Sequence, residues 1–487
     1  MRVAVPVLLA ALLAAGCLDG NGPPVDQAQP AAGADGYAVD CSIASADWGE
    51  PCLAWSSRND SPSKTEIDLA VNPTDPLNVF VASKDMDPLA SPGPCVWAVG
   101  QVTHDGGRTW STVYVGGTLD EREPMEPLFG WRCITDPILQ YTPDGRLHYS
   151  LQAYDYEPGG IETPPIGAGG FELEGGNMYT ALSIDGGASF PTIELMHAGD
   201  ELVIFHDFMR MGVSPASGTV FTLWNQITAV VGRIPVLSAT ESDGAVRPPV
   251  YLVNPSAPGM MGINAIVGTP NGAVHAFTTT STSGQETLLR FTSDNDGESF
   301  GLPVEAFRLA TMQHPDNVDY RLGTNVEVVA DTSGGERHGC LHAVWADAGE
   351  DGADILARNS CDDGATWSEP SLVSSGPHEG AQFFPRVSVD GRGTVHVVYQ
   401  TQAHDPAHVL VDADWARSTD GGRTWTVERL TRVPTDGNLG VHQNGGSFFG
   451  DYIGIGSSGD HTYMAFPVTV TGRTEIAVAH VRFQPAS

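Results

Sequence analysis

Three histidines, His314, His378 and His442, fall at equal steps of 64 residues, and each is followed by groups able to do chemistry. Arg321 follows the first, Glu379 and Arg386 the second, Asp451 and Tyr452 the third. Earlier in the chain a similar mixture stands as Arg132 with Asp136, and as His206, Asp207 and Arg210. Planar arginine forks bind carboxylates in a bidentate way that lysine cannot reproduce, so the arginines point to an anionic ligand. Each residue also has a plainer reading. The arginines suit ion pairs with Asp along a channel, Asp136 before Pro137 suits a turn cap, Tyr452 suits a packed aromatic, and the histidines recur if a structural unit recurs. Zinc is disfavoured because the usual short ligand spacings are missing. Calcium is open at the acidic stretches from Asp316 to Asp319 and from Asp412 to Asp414, although no EF-hand pattern is present.

The elements that must position these residues announce themselves by repetition. Five octapeptides share a hydroxyl-bearing or similar residue, an acid, a glycine and an aromatic at fixed offsets: THDGGRTW from Thr103, SIDGGASF from Ser183, SDNDGESF from Ser293, SCDDGATW from Ser360 and STDGGRTW from Ser418. The third alone carries Asn295 where the others carry Asp. A carboxylate two residues before a glycine accepts backbone N–H bonds while the glycine takes positive φ, and the aromatic then buries its ring at the start of the outgoing strand. Between these turns lie short alternating runs that read as β-strands, such as DPILQYTPDGRLHYSLQAY from Asp136 and PRVSVDGRGTVHVVYQ from Pro385. No long helical periodicity follows the first residues, and the chain reads as all-β. Units starting near 65, 135, 207, 262, 324, 382 and 448 predict a propeller of seven four-stranded blades, with six as the alternative. The last unit is one strand short, so the segment from Tyr37 to Arg58 is expected to close the ring and remove the exposed edges. In such an architecture the loops leading into the innermost strands share one face, where the histidine-linked groups would meet.

The octapeptides resemble the Asp boxes of sialidases and other BNR-repeat β-propellers. That resemblance implies three substrate-binding arginines, a tyrosine nucleophile partnered by a glutamate, and an aspartic acid/base. By order and face it assigns Tyr452 as the nucleophile, Asp136 or Asp451 as the acid and Glu305 as the partner. It assigns Arg321, Arg386, Arg210 and Arg132 to substrate, beside His378 and His442. The family's first arginine lies in a Phe/Tyr-Arg-Ile-Pro motif near the start of the catalytic domain. Here the only Arg-Ile-Pro is Arg233 to Pro235, in mid-chain after Gly232.

The N-terminus begins Met1-Arg2 and continues with a 13-residue apolar run, Val3 to Ala15, short of the ~20 residues that span a bilayer. It ends in LLAAGC, which reads as an export signal (residues 1–16) with a lipoprotein cleavage site before a lipidated Cys17. A plain signal peptide is the alternative. Residues 17–36 form a flexible tether, and 37–487 the single propeller domain. Six further cysteines in an exported chain suggest disulfides. Cys340 and Cys361 flank two strands whose antiparallel pairing joins them; Cys41 with Cys52 and Cys95 with Cys133 follow by elimination. A net charge of −35 excludes nucleic acid and anionic lipid surfaces as partners. The expectation is an exported, membrane-anchored monomer, an exo-glycosidase on terminal sialic or other acidic sugars, without a cofactor unless calcium. The alternatives are a noncatalytic propeller that binds glycan or protein at the same face, and a structural partner in a cell-envelope assembly.

Overall fold

A computed structural model describes residues 32–484 except 45–51, 58–62, 88–94, 116–126, 129–130, 132, 157–172, 200–203, 229–231, 255–258, 283–284, 350–351, 375–379, 444–445 and 471–472. The described chain is all-β, and its helical content is two three-residue 3-10 turns, Cys41–Ile43 and Gly437–Leu439. The strands form five large sheets in a propeller-like arrangement, with a two-stranded ribbon, Val441–Gln443 with Gly446–Phe448, beside them.

Each sheet begins with an axial strand and steps outward through antiparallel neighbours. The first runs Ser63–Val71, Val79–Asp87, Cys95–Thr103, Ser111–Tyr114, and the second Cys133–Tyr141, Leu147–Tyr156, Leu173–Ser183, Thr192–His197. The third has eight strands between Ile204–Val213 and Val304–Ala310, and the fourth nine between Val326–Ala330 and Thr435–Asp436. The fifth joins Gly454–Ser458, His461–Val470 and Arg473–Phe483 to the N-terminal strands Tyr37–Val39 and Leu53–Trp55.

Five sheets correct the expectation of seven blades, or six. The sequence units are present as meanders, but a meander is not always a separate sheet. Gly232–Thr240 pairs in parallel with Gly259–Gly268, and Gly352–Ser360 with Gly380–Val389, so two pairs of meanders are each fused into one sheet. Glycine permits the approach. A Cβ on Gly352 would stand 2.1 Å from the Gly380 carbonyl oxygen, a distance no side chain tolerates.

The repeated octapeptides form one turn five times. In the first, the Thr103 hydroxyl donates to Asp105 (2.8 Å) and accepts from Gly107 N–H (2.9 Å), while Asp105 accepts from the Thr109 N–H and hydroxyl (2.9 and 2.7 Å). Asn295 substitutes without loss, its Oδ1 accepting from Ser299 N–H and its Nδ2 donating to Ser299 Oγ. The trailing aromatics pack between sheets: Phe190 meets Phe80 and Tyr149 edge-on, each at 5.6 Å, and Trp367 meets Phe307 at 5.2 Å. Such contacts add about 0.5–1.5 kcal/mol beyond the area buried. Cys340–Cys361 and Cys41–Cys52 are disulfides. The first is placed by the Leu341↔Ser360 pairing next to it. The Cys95 side chain lies outside the described residues, and with it the expected pairing to Cys133.

Candidate active site

The axial strands share a defect that builds the site. In each of Ser63–Val71, Cys133–Tyr141, Ile204–Val213 and Gly380–Val389 the register slips near the start, between Thr65 and Asp68, Thr135 and Ile138, Asp207 and Arg210, and Phe383 and Arg386. Within each slip one non-glycine residue adopts left-handed backbone: Glu66 (φ 50°), Asp136 (52°), Phe208 (54°) and Phe384 (51°). A bulge re-aims side chains and tolerates strain of order 1 kcal/mol or more where function requires it. Here it gathers Glu66, Asp136 and Asp207 from three successive axial strands at one end of the axis. Asp451, from the turn before Gly454–Ser458, completes the set.

Lys84 stands among these acids. Its ammonium lies 3.2 Å from Glu66 Oε2 and 3.6 Å from Asp136 Oδ1, and it feels Asp451 as well. Burial opposes its charge, but the three carboxyls outweigh burial and keep Lys84 protonated. Asp136 is the hub. It accepts from the Thr135 hydroxyl (2.7 Å) and Phe208 N–H (3.4 Å), and Glu66 and Asp207 both lie within hydrogen-bonding reach of it. Burial pulls Asp136 upward, yet Lys84 and these donors hold it below the usual carboxylate range. Its neighbours move the other way. Burial, then the Asp136 charge, push Glu66 well above its ordinary value and Asp207 up to about 7. Asp451 is raised by burial against the pull of Arg321 and Lys84. Carboxyls in contact cannot all ionise together, and the one with most donors keeps the charge.

Beneath this layer lies a second, of ion pairs. Arg210 Nε reaches Glu327 Oε1 at 3.0 Å, Arg386 Nη1 reaches the same oxygen at 3.3 Å, and Arg386 Nη2 reaches Asp68 at 2.7 Å. Asp68 also accepts from Leu139 N–H at 2.8 Å. The Arg210 guanidinium lies over the rings of Phe208 (4.2 Å) and Tyr452 (5.2 Å). These four charged residues line an axial cavity of about 520 Å3 to which all five sheets contribute.

The residues named from sequence divide by these layers. Asp136 and Asp451 belong to the acid cluster. Arg321 joins it, 64% exposed, donating to Asp451 Oδ2 at 2.5 Å and lying 4.8 Å over the Phe448 ring. Arg210 and Arg386 meet on Glu327, one layer below. Tyr452 is buried between the layers and donates to the Pro137 carbonyl at 3.1 Å, and burial, Glu66 and Asp136 raise its hydroxyl well above the ordinary value. Glu305 lies in the outer strand Val304–Ala310, paired with Arg308 at 3.0 Å. His314 is exposed and bonds to the Tyr320 and Pro315 carbonyls. His442 falls in the strand Val441–Gln443. Its side chain, together with Arg132, His378, Glu379 and Cys17, lies outside the described residues. The acidic stretch at 412–414 is taken up internally, Asp412 by Arg429 and Asp414 by His404. Among the described residues no group of three or more His, Cys, Asp or Glu is arranged to hold a metal ion.

Sequence reading missed Glu66, Lys84, Asp68 and Glu327. The signal for the acids was a break in alternation. Thr65-Glu66-Ile67-Asp68, Thr135-Asp136-Pro137-Ile138 and His206-Asp207-Phe208-Met209 each place an acid where the inward–outward phase slips. Lys84 had no such signal, because it reaches the site from a second strand, opposite Thr65.

No family model and no curated protein matches the chain. Among solved structures it is similar to a protein of unknown function from Dyadobacter fermentans, with 14% identity, 89% of this chain and 98% of that chain covered, and a TM-score of 0.48. It is similar to Trypanosoma rangeli sialidase in complex with sialic acid, with 11% identity, 77% of this chain covered and a TM-score of 0.42, and it spans only 55% of that chain. It is also similar to Penicillium chrysogenum α-L-arabinanase complexed with arabinobiose, with 16% identity, 78% and 99% covered, and a TM-score of 0.43. One architecture hosts many chemistries, so function has to be read from the site's own residues.

Proposed function

We propose that the chain is a glycoside hydrolase in which Asp207 donates the proton to the leaving group and Asp451 is the substrate-facing carboxylate. The observation that carries this reading is the separation of touching acids at the end of the axis: Asp136 held ionised, Asp207 pushed up to about 7. Cleavage of an acetal needs one carboxyl that can give a proton near neutrality and another that stays charged to act as nucleophile or base. Asp451 is near enough to raise Asp207 by its charge and is partly exposed, and although burial raises it, Arg321 at 2.5 Å and Lys84 favour its carboxylate form. Arg210 and Arg386 are engaged by Glu327 and Asp68. Arg321 therefore takes any anionic group of the substrate, which keeps terminal sialic and other acidic sugars in the substrate class.

Two disulfides support an oxidising compartment outside the cytoplasm. No helix among the described residues is long and apolar enough to cross a membrane. An anchor through a lipid on Cys17 belongs to the same proposal, and loss of membrane association on Cys17→Ala is its test. Noncatalytic glycan binding is the second reading. It is favoured by the engagement of the Tyr452 hydroxyl, which donates its proton to the Pro137 backbone carbonyl and not to a carboxylate. A panel of fluorogenic glycosides, including a sialoside and an arabinofuranoside, separates the two. Turnover that falls at least about 100-fold in Asp207→Asn supports hydrolysis; folded protein inert on the whole panel leaves the binding propeller.

A further inference from the structure

The chain uses arginine at 22 of its 24 cationic lysine and arginine positions, and its only lysines are Lys64 and Lys84. Both are buried, at 0% and 7% exposure, on neighbouring strands of the first sheet, where Lys64 pairs in register with Asp85 and Lys84 with Thr65. Lys64 forms an ion pair with Asp85 at 2.8 Å. Lys84 instead faces carboxyls from three other elements: Glu66 on the first axial strand, Asp136 on the second, and Asp451 in the last turn. An ammonium is a compact charge with three donors that can turn toward separate partners, whereas a guanidinium presents a flat, fixed fork.

We infer that Lys84 is a positioning residue: its ammonium keeps Asp136 a carboxylate, and so leaves Asp207 the member of the touching pair that carries the proton. The inference rests on the hydrolase reading for its use, and on geometry for its cause. Asp136 and Asp207 share one hydrogen-bonding contact, which requires a proton on one of the two. The donors favour charge on Asp136, since the Thr135 hydroxyl, the Phe208 N–H and Lys84 all face it. Asp207 is faced by Asp136 and Asp451, with Lys84 a weaker influence, and the ion pair of Arg321 is with Asp451. Lys84 does not touch the sugar in this scheme; it acts through Asp136.

Removing the ammonium leaves four acids against one guanidinium. Asp136 then binds its proton more tightly, because an opposite charge at this distance displaces a carboxyl by about 1–3 pH units. The test is Lys84→Met in the full folded chain, followed by infrared titration of the carboxylic C=O stretch. The expected result is that one carboxyl titrates about 1–3 pH units higher than in the parent, a shift absent when Asp136→Asn is combined with it. Lys64→Met acts on Asp85 instead, so any change it brings to the band is removed by Asp85→Asn and not by Asp136→Asn. If Lys84→Met does not fold, Lys84→Gln carries the same expectation. An unchanged band in the folded variant overturns the role of Lys84, whether or not the protein turns over any glycoside. Where a substrate has been found, the second readout is kcat reduced by at least about 10-fold with KM held within about 2-fold, since general acid catalysis contributes about 100–10,000-fold. A change in KM alone would mean that Lys84 contacts the sugar, and would equally overturn a positioning role.

Discussion

The molecule holds two populations of aspartate that differ in almost every physical respect. Those of the repeated turns, Asp105, Asp185, Asp362 and Asp420, sit at the rim and collect donors from their own loop. At Asp362 the Thr366 hydroxyl and N–H pull the carboxyl below its usual range; at Asp420 slight burial is outweighed by Thr424, Ser418 and Arg423, which bring it to about 2. Those at the end of the axis collect partners from different sheets and lose water, so that Asp207 rises to about 7. A carboxyl surrounded by its own turn serves shape. One held against another carboxyl is suited to proton transfer, which is the role the proposed function gives it. The repetition that makes the first group conspicuous in the sequence thus marks the fold, while the second group, to which the proposed hydrolysis assigns the chemistry, recurs only as an acid at a slip in strand alternation.

The comparison is broken most forcefully at Asp207. Asp207→Asn is expected to lower kcat/KM by about 100–10,000-fold while the melting temperature holds or rises, because a buried proton-sharing acid is replaced by a neutral amide. Equal loss of activity from Asp420→Asn would erase the distinction between the groups. Next in size is the pH response. Activity that needs protonated Asp207 falls as pH rises through about 7. The two populations also impose opposite slopes on stability. Asp207 is raised in the folded state, so the unfolded chain releases its proton first, and stability declines from about pH 4 to about pH 7. Asp420 is lowered, so its contribution is present above the unfolded value near 4 and is lost as pH falls toward 2. Denaturant titrations across pH for the parent, Asp207→Asn and Asp420→Asn separate these slopes.

Smaller again is Asp420→Ala, which deletes an acceptor of four hydrogen bonds from Ser418, Arg423 and Thr424. A cost of about 1–2 kcal/mol is expected, by analogy with lost helix caps, with activity retained. Calorimetry and the glycoside assay read both. The smallest effect belongs to Asn295→Asp, where the amide already accepts from Ser299 N–H and donates to its hydroxyl. A stability change below about 0.5 kcal/mol is expected, and a large one would mean that charge, not hydrogen-bond geometry, holds these turns.

What could be read from the chain follows the same division. The five turns, the strands between them and the Cys340–Cys361 bridge were legible because they depend on neighbours in sequence or on a single strand pairing. The number of sheets was not, since fusion depends on the approach of Gly352 to Gly380, which composition does not reveal. In the site, Asp136, Asp451, Arg321, Arg210 and Arg386 were visible as charged residues near axial strands. Their grouping was hidden, because bulges, not loops, aim Glu66, Asp136 and Asp207, and because Lys84 and Glu327 complete the charge balance from positions without a motif.

The pairing of Tyr37–Val39 with the C-terminal part of Arg473–Phe483 sets a schedule for biogenesis. Tyr37 finds Phe483, its register partner, only after every strand between them has been made, so the N-terminal strands of the sheet wait for its C-terminal one. Until then the fifth sheet lacks strands at both ends of the chain, and its edges are open to strangers. A ring whose first and last strands complete one another closes last, and the Cys41–Cys52 disulfide, set between the two waiting N-terminal strands, holds the finished seam.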